Sequence, residues 1–264
     1  APGRLSSSEP NLQNIPIRGE FGPRMRSCFV PEEGNTLVAA DYSQIELRIL
    51  AHFSGDPSLI EAFTGGEDIH AKTAGLILEK GTGEISSDER RQAKTINFGL
   101  IYGMGPQKLA RETGITVKEA KEFIRIYFSK LEGVSSLFET IQKGAREAGY
   151  VTTLFGRRRL LPDINSRNEN LAQQSRRLAI NTVIQGSAAD IIKAAMIRTA
   201  GDAELARLQA ELILQVHDEL LAEVPSERGQ QAGERLAALM SGVADLEVPL
   251  TVEWGLGENW AKAH

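Results

Sequence analysis

Apolar positions along this chain fall into two kinds of run. Thr36-Leu-Val-Ala-Ala40 and the two halves of Leu212 to Val224 are near-continuous apolar stretches of strand length. Most of the chain between residues 43 and 199 instead repeats its apolar positions every three to four residues. The spacing predicts a strand over 35–41 and a helix over 43–53. Further helices follow at about 57–63, 68–79, 87–101, 106–113, 117–130 and 134–148, separated by Gly-rich breaks. Thr116, with Glu119 three residues on, is a capping-box start for the 117–130 helix. Val151 to Phe155 reads as a short strand and Arg157-Arg158-Arg159 as a basic turn, followed by a long helix over 168–199. A hairpin over 211–224, a helix over 226–241 and a strand over 248–255 close the chain. Residues 1–34, rich in Gly, Pro, Ser and Asn, read as loop with a short strand. Strands at both ends with helices between them give an α+β fold, an antiparallel sheet carrying a large helical insertion.

The hairpin has an unusual tip. His217-Asp218-Glu219 joins its two apolar halves, where a tight turn would favour Asn-Gly or Asp-Gly. A buried carboxylate costs several kcal/mol unless paired or bound to metal. The 35–41 strand ends on a second such acid, Asp41. Two strands each delivering an aspartate suit a pair of divalent ions for phosphoryl transfer; two unrelated strand-end acids are the plainer alternative.

Length and composition set bounds. With 264 residues and 41% hydrophobic content the chain can bury a full core, and no apolar run approaches the ~18 residues of a membrane span. The first residues lack the apolar segment of a signal peptide, so a cytoplasmic protein with no membrane partner is expected. The single cysteine, Cys28, excludes an intrachain disulfide framework and any multi-cysteine zinc site. Net charge is −5, but residues 86–182 carry 17 Lys+Arg against 10 Asp+Glu, leaving the acidic surplus to the flanks. A basic middle between acidic ends suits a protein that grips phosphates with one segment and metals with another, although solvated helix faces explain much of it. Within that middle, Arg90, Lys94, Phe98 and Tyr102 recur every four residues and form one helical stripe, two cations followed by two aromatics. A nucleoside triphosphate has the same polarity. An amphipathic helix with core-facing aromatics and snorkelling charges is the alternative on spacing alone.

Three segments taken together carry a resemblance. Asp41-Tyr-Ser-Gln44-Ile-Glu46-Leu-Arg48, Arg90 to Gly103 and His217-Asp218-Glu219 resemble the three polymerase motifs of the family A DNA polymerases, in order and with fitting gaps. The likeness runs from Gly3-Arg4-Leu to Gly257-Glu-Asn-Trp260. It includes Asn11-Leu-Gln13-Asn14-Ile-Pro16, Glu67-Asp-Ile-His70, Gly156-Arg-Arg-Arg159 and Gln185-Gly-Ser-Ala-Ala-Asp190. It implies a right-hand polymerase with an antiparallel palm sheet and a large helical fingers insertion, the palm in 1–43 and 201–264 and mainly fingers in 44–200.

The resemblance also implies a reaction: dNTPs are added to a primer 3′-hydroxyl on a DNA template with two Mg²⁺ ions, Mn²⁺ being able to substitute. It makes Asp41, Asp218 and the backbone carbonyl of Tyr42 metal ligands, with Glu219 beside them. It places Arg90, Lys94, His70 and Gln44 on the triphosphate, with Lys94 the candidate acid for the leaving group. Phe98 and Tyr102 would frame the nascent base pair, and Glu46 would exclude the 2′-hydroxyl of ribonucleotides. Arg4, Gln185 and His217 match positions at the primer-template minor groove or primer end, whose acceptors vary little with sequence. Asn11, Gln13, Asn14 and Asn181 would assist along the strands. Family members carry a helical thumb and an exonuclease-like domain before this segment, and Ala1-Pro2 stands where a threonine-rich lead-in is expected. The chain therefore reads as palm and fingers with the thumb absent, with primer-template DNA, dNTPs and a thumb/exonuclease portion as partners. Two other readings are a relative of the single-subunit RNA polymerases, against which Glu46 argues, and a truncated nucleic-acid-binding fragment without independent activity.

Overall fold

The computed structural model describes residues 3–16, 19 and 21–263; the Ala1-Pro2 lead-in lies outside them. Eighteen helices and strands follow in chain order among the described residues. They are α1 (Gly22–Arg26), β1 (Asn35–Tyr42), α2 (Ile45–Ser54), α3 (Pro57–Thr64), α4 (Ile69–Leu78), α5 (Ser87–Ile101), α6 (Pro106–Thr113), α7 (Val117–Lys130) and α8 (Glu132–Ala148), then the short strands β2 (Tyr150–Thr152) and β3 (Arg158–Leu160), α9 (Glu169–Ala200) and α10 (Ala203–Arg207). The chain ends with β4 (Glu211–Val216), β5 (Glu219–Pro225), α11 (Gly229–Ser241), β6 (Val252–Gly257) and α12 (Trp260–Ala263). Short 3-10 turns lie at Leu12–Asn14, Thr82–Glu84 and Ser226–Arg228.

The helix starts are set by side chains. At α7 the Thr116 hydroxyl accepts the Glu119 N–H at 3.2 Å while the Glu119 carboxylate accepts the Thr116 N–H at 2.8 Å. Ser86 and Glu89 build the same box at α5, and Asp56 and Asp68 cap α3 and α4. Each satisfies amides the helix leaves unpaired.

The main sheet runs β4-β5-β1-β6, every neighbour antiparallel. Strand alternation sends Val38, Ala40 and Tyr42 to one face, into the large core shared with α9 and α11. Leu37 and Ala39 point to the other face, where they meet Val216, Leu221 and Trp260. On that second face Gly255 and Gly257 let α12 lie against the β6 backbone. A Cβ on Gly257 would come within 2.4 Å of the Ala263 nitrogen, and one on Gly255 within 2.7 Å of the Ala263 carbonyl.

The expected architecture is therefore observed, with local corrections. No strand forms among the described residues before β1; α1 and a 3-10 turn occupy that stretch. The arginine triplet is part turn, part strand, because Arg158 and Arg159 pair with Thr152 and Val151. The last strand begins at Val252 rather than 248, and the helix after Asp41 begins at Ile45 rather than 43. The short helices α10 and α12 give no periodic signal at four or five residues. No helix among the described residues is long and apolar enough to cross a membrane.

Candidate active site

Strand pairing brings the acidic ends together. In the β4–β5 hairpin Val216 pairs with Glu219, so His217 and Asp218 form a two-residue turn. His217 takes a left-handed φ of 55°, a position usually given to Gly, Asn or Asp. The Asp218 carbonyl then accepts the Tyr42 N–H at 3.2 Å, which ties the turn to the end of β1. Asp41 stands directly opposite Glu219 on β5 and Glu253 on β6.

The chain leaves β1 through a sharp bend locked from within its own motif. Gln44 has a φ of 57°, and its Oε1 is buried without a hydrogen-bond partner among the described residues. Arg48, 7% exposed, donates Nε–H to the Ser43 carbonyl at 2.7 Å and Nη1–H to the Pro249 carbonyl at 2.6 Å. Tyr42 turns its ring into the core and donates its hydroxyl to the Met240 carbonyl at 2.7 Å. Burial pushes that phenol far above its usual pKa.

Glu46 is a buried group, 6% exposed, which excludes a solvent-facing helix position. Arg4 Nη2–H donates to its Oε1 at 2.6 Å and the Tyr102 hydroxyl to its Oε2 at 2.5 Å. Burial raises the Glu46 pKa against these two partners. Gln185 also reaches the Tyr102 hydroxyl. Arg4, Gln13, Glu46, His217 and Asp218 line one small cavity with α9 residues, including Ala188 and Ile192. Burial raises the Asp218 pKa too, with His217 and Arg4 opposing the shift and Glu219 adding to it. Gln185 and Asn181 continue the same α9 face one and two turns before the cavity. Asn181 Oδ1 is buried without a hydrogen-bond partner among the described residues. Gln13 donates to both oxygens of Gln215, while Asn11 caps the 3-10 turn that carries Gln13 and the exposed Asn14.

A second cluster lies on α4 and α5. Asp68 caps α4 by accepting the His70 and Ala71 N–H groups on one oxygen, and accepts Arg90 Nε–H on the other at 2.5 Å. One carboxylate thus fixes two of the predicted triphosphate ligands, an arrangement sequence reasoning missed because Arg90 and Asp68 are 22 residues apart. His70 is 1% exposed; its Nδ1 lies 3.1 Å from Asn97 Nδ2, its Nε2 has no hydrogen-bond partner among the described residues, and its ring stands 5.7 Å from that of Phe98. Burial and the neighbouring Lys94 lower its pKa to about 4. An unfolded histidine binds a proton below pH 6.5, and this one does not until pH falls to about 4, so its contribution to stability is complete above pH 6.5 and is lost as pH falls through that window. His70→Gln should therefore flatten the acid limb of chemical unfolding between pH 6.5 and 4 by up to roughly 3 kcal/mol. An unchanged limb would mean that the imidazole titrates like a free one. Tyr102, at the C-terminal end of α5, joins this cluster to the Glu46 cavity.

The structure thus gathers the strand-end acids, Tyr42, Gln44, Glu46, His217 and Tyr102 at one end of the sheet, with His70, Arg90, Lys94 and Phe98 on the adjoining helices. The donors at the sheet end are hard oxygens, which suit Mg²⁺. Among the described residues no three His, Cys, Asp or Glu side chains are grouped to hold a metal. Asp218 faces the Arg4–Glu46 cavity, while Asp41 lines a cavity of about 390 Å³ with Glu253 and Lys262.

A family profile described as DNA polymerase family A matches residues 1–262. The chain belongs to DNA polymerase family A. It is 51% identical to DNA polymerase I of Bacillus caldotenax over 262 residues, which cover 99% of this chain and 30% of that protein. Against DNA polymerase I of Pseudomonas aeruginosa it is 49% identical over 264 residues, 100% of this chain and 29% of that protein. Among solved structures, the polymerase domain of Pol1 from M. smegmatis, in complex with DNA primer-template and dNTP, superposes with a TM-score of 0.95 at 44% identity. That match covers 99% of this chain and 46% of the other. The chain therefore spans about 30% of the length of these curated family A relatives.

Proposed function

We propose that this chain is the catalytic core of a DNA-templated DNA polymerase, adding dNTPs to a primer 3′-hydroxyl. The palm comprises residues 1–43 and 201–264, and the fingers lie mainly in 44–200. The observation that carries the reading is the union of two clusters through one hydrogen bond. The cationic and aromatic stripe of α5 ends on Tyr102, whose hydroxyl is held by Glu46 beside Asp218. A triphosphate lying along that stripe would put its sugar at Glu46 and its reactive phosphate toward the acids. The bacterial DNA polymerase I relatives support a cytoplasmic placement.

Asp41, Asp218 and the Tyr42 carbonyl would hold two Mg²⁺ ions, which when bound acidify the primer hydroxyl and neutralise the triphosphate. The side chains do the rest. Arg90, held through Nε by Asp68, presents both Nη groups to phosphate oxygens. Lys94, one turn on, sits where charge develops on the leaving group and can deliver a proton there. Neutral His70 and the Gln44 side chain assist on the triphosphate, Phe98 and Tyr102 pack against the incoming base pair, and Arg4, Gln185 and His217 meet the primer-template. Asn11, Gln13, Asn14 and Asn181 lie further along the strands.

Extension of a labelled primer on a DNA template with Mg²⁺ and dNTPs tests the reading, in the chain alone and with the remaining part of a family A enzyme supplied in trans. Template-directed extension supports it. A gel shift with no extension in either arrangement would leave a nucleic-acid-binding fragment. Lys94→Ala and Arg90→Ala separate the two binding tasks. Each removes a charge-assisted contact of about 1.5–3 kcal/mol, so the KM for dNTP should rise roughly 10- to 100-fold with primer-template affinity unchanged. Equal losses of duplex affinity would place α5 on the DNA instead.

A further inference from the structure

Beneath the acidic ends, on the sheet face opposite α9 and α11, lies a buried charge that no motif explains. Arg26, at the end of α1, is 2% exposed. Its guanidinium carbon stands 4.0 Å over the centre of the Trp260 ring, and its Nη1 lies 3.6 Å from Glu219 Oε2. Trp260, fully buried, donates its indole N–H to Glu219 Oε1 at 2.8 Å. Both oxygens of Glu219 are thereby addressed, one by a hydrogen bond and one by a buried cation. The tryptophan is itself held in place. Its backbone N–H donates to the Phe29 carbonyl at 3.0 Å, and the Phe29 ring meets it edge-on at 5.5 Å. The close approach allowed by Gly255 and Gly257 completes the seat.

A buried arginine is weak support for stability. Removing it from water costs several kcal/mol, and a well-packed apolar side chain often does as well. What it does supply is charge at a fixed point. Glu219, Asp41 and Glu253 stand side by side across three strands, and like charges directly opposite one another repel. Glu219 also precedes the leucines of β5 and follows Asp218 in the turn, so any shift of its carboxylate moves the turn.

We propose that Arg26 and Trp260 are positioning residues for the metal-binding end of the site. They draw the Glu219 carboxylate down into the sheet and hold it there, which fixes the Asp218 turn and leaves Asp218, rather than its neighbour, facing the cavity. The two adjacent acids thus take different tasks because one has partners below it. This rests on the polymerase reading, since it needs a divalent cation at Asp41 and Asp218.

Binding of Mn²⁺ to the chain, followed by the EPR signal of the free ion, tests this without reference to activity. Asp218→Ala and Asp41→Ala serve as references for the site. Trp260→Phe keeps the ring under Arg26 and removes only the N–H, and Arg26→Met keeps the volume and removes the charge. Each should weaken Mn²⁺ binding about tenfold, the usual effect of losing a group that orients a ligand. The pair Arg26→Met with Glu219→Gln gives the decisive comparison. If Arg26 acts through Glu219, the double variant binds Mn²⁺ as Glu219→Gln alone does, while its melting temperature returns toward that of the parent because no buried charge is left unpaired. Parent-like Mn²⁺ affinity in both Trp260→Phe and Arg26→Met, or losses that simply add in the double variant, would overturn the positioning alone. Should Arg26→Met fail to fold, Trp260→Phe still decides. A parent chain whose Mn²⁺ binding ignores Asp41 and Asp218 would overturn the polymerase reading as well.

Discussion

Asp41→Ala and Asp218→Ala are each expected to abolish primer extension, by on the order of 1000-fold or more, while the protein keeps its fold. Losses of that size follow when a two-metal site loses a carboxylate ligand, because the metal itself is then misplaced or absent. The fold should survive because the turn is tied to β1 through the backbone. The contact between the turn and β1 is a backbone hydrogen bond, from the Tyr42 N–H to the Asp218 carbonyl. Asp218 is costly to keep: burial and the adjacent Glu219 raise its pKa, so ionising it works against the folded state. Asp218→Ala should therefore melt at or slightly above the parent temperature without metal, the pattern of a residue retained for function at some expense of stability. Calorimetry beside the extension assay separates the two effects. Activity within about tenfold of the parent at either position would remove that aspartate from the metal site.

Much of this arrangement was legible in the sequence, and the reason differs from part to part. The helices from α3 to α9 were found within one or two residues because their ends are written locally. Capping boxes at Ser86 and Thr116 and left-handed glycines at Gly114 and Gly149 stop and start the pattern regardless of what packs on it. Apolar runs that each carry an acid at one end marked β1 and the β4–β5 hairpin as the strands that deliver the candidate ligands, but not that β1 pairs with β5. The position of β6 was less accessible. It pairs with β1 across more than two hundred residues of chain, and its alternation is blurred by two glycines whose role, admitting α12, is visible only in three dimensions.

The site was legible as residue types and illegible as partners. Sequence spacing put Arg90, Lys94, Phe98 and Tyr102 on one stripe, but it could not show that Asp68 holds Arg90 or that Asn97 faces the His70 ring, since both partners sit on other turns and other helices. It showed Glu219 beside Asp218, but not that Arg26 and Trp260, 193 and 41 residues away, converge on it. Nothing periodic marks a buried arginine in a five-residue helix. Such contacts become predictable only once the sheet order is known, because strand register decides which side chains share a face.

Glu46 shows what that difference means for function. With burial and two hydrogen-bonded partners it is held fixed between Arg4 and Tyr102, and under the proposed function selection of the sugar would follow from its bulk. Glu46→Ala should open space at the sugar C2′ and raise the ratio of rNTP to dNTP incorporation by on the order of 100-fold, the scale on which pocket volume discriminates substrates. The same change strips Arg4 and Tyr102 of their shared acceptor, so dNTP use itself should fall, and the ratio is the quantity to compare. Glu46→Gln provides the control. It keeps the bulk and can still accept the Tyr102 hydroxyl, while losing the charge that pairs with Arg4. It should therefore weaken dNTP use and leave ribonucleotide rejection nearly intact. Competition between rNTP and dNTP on one primer-template, under one set of conditions, measures both variants. An unchanged ratio in Glu46→Ala would make Glu46 a structural partner of Arg4 and Tyr102 and move sugar selection elsewhere in the cavity.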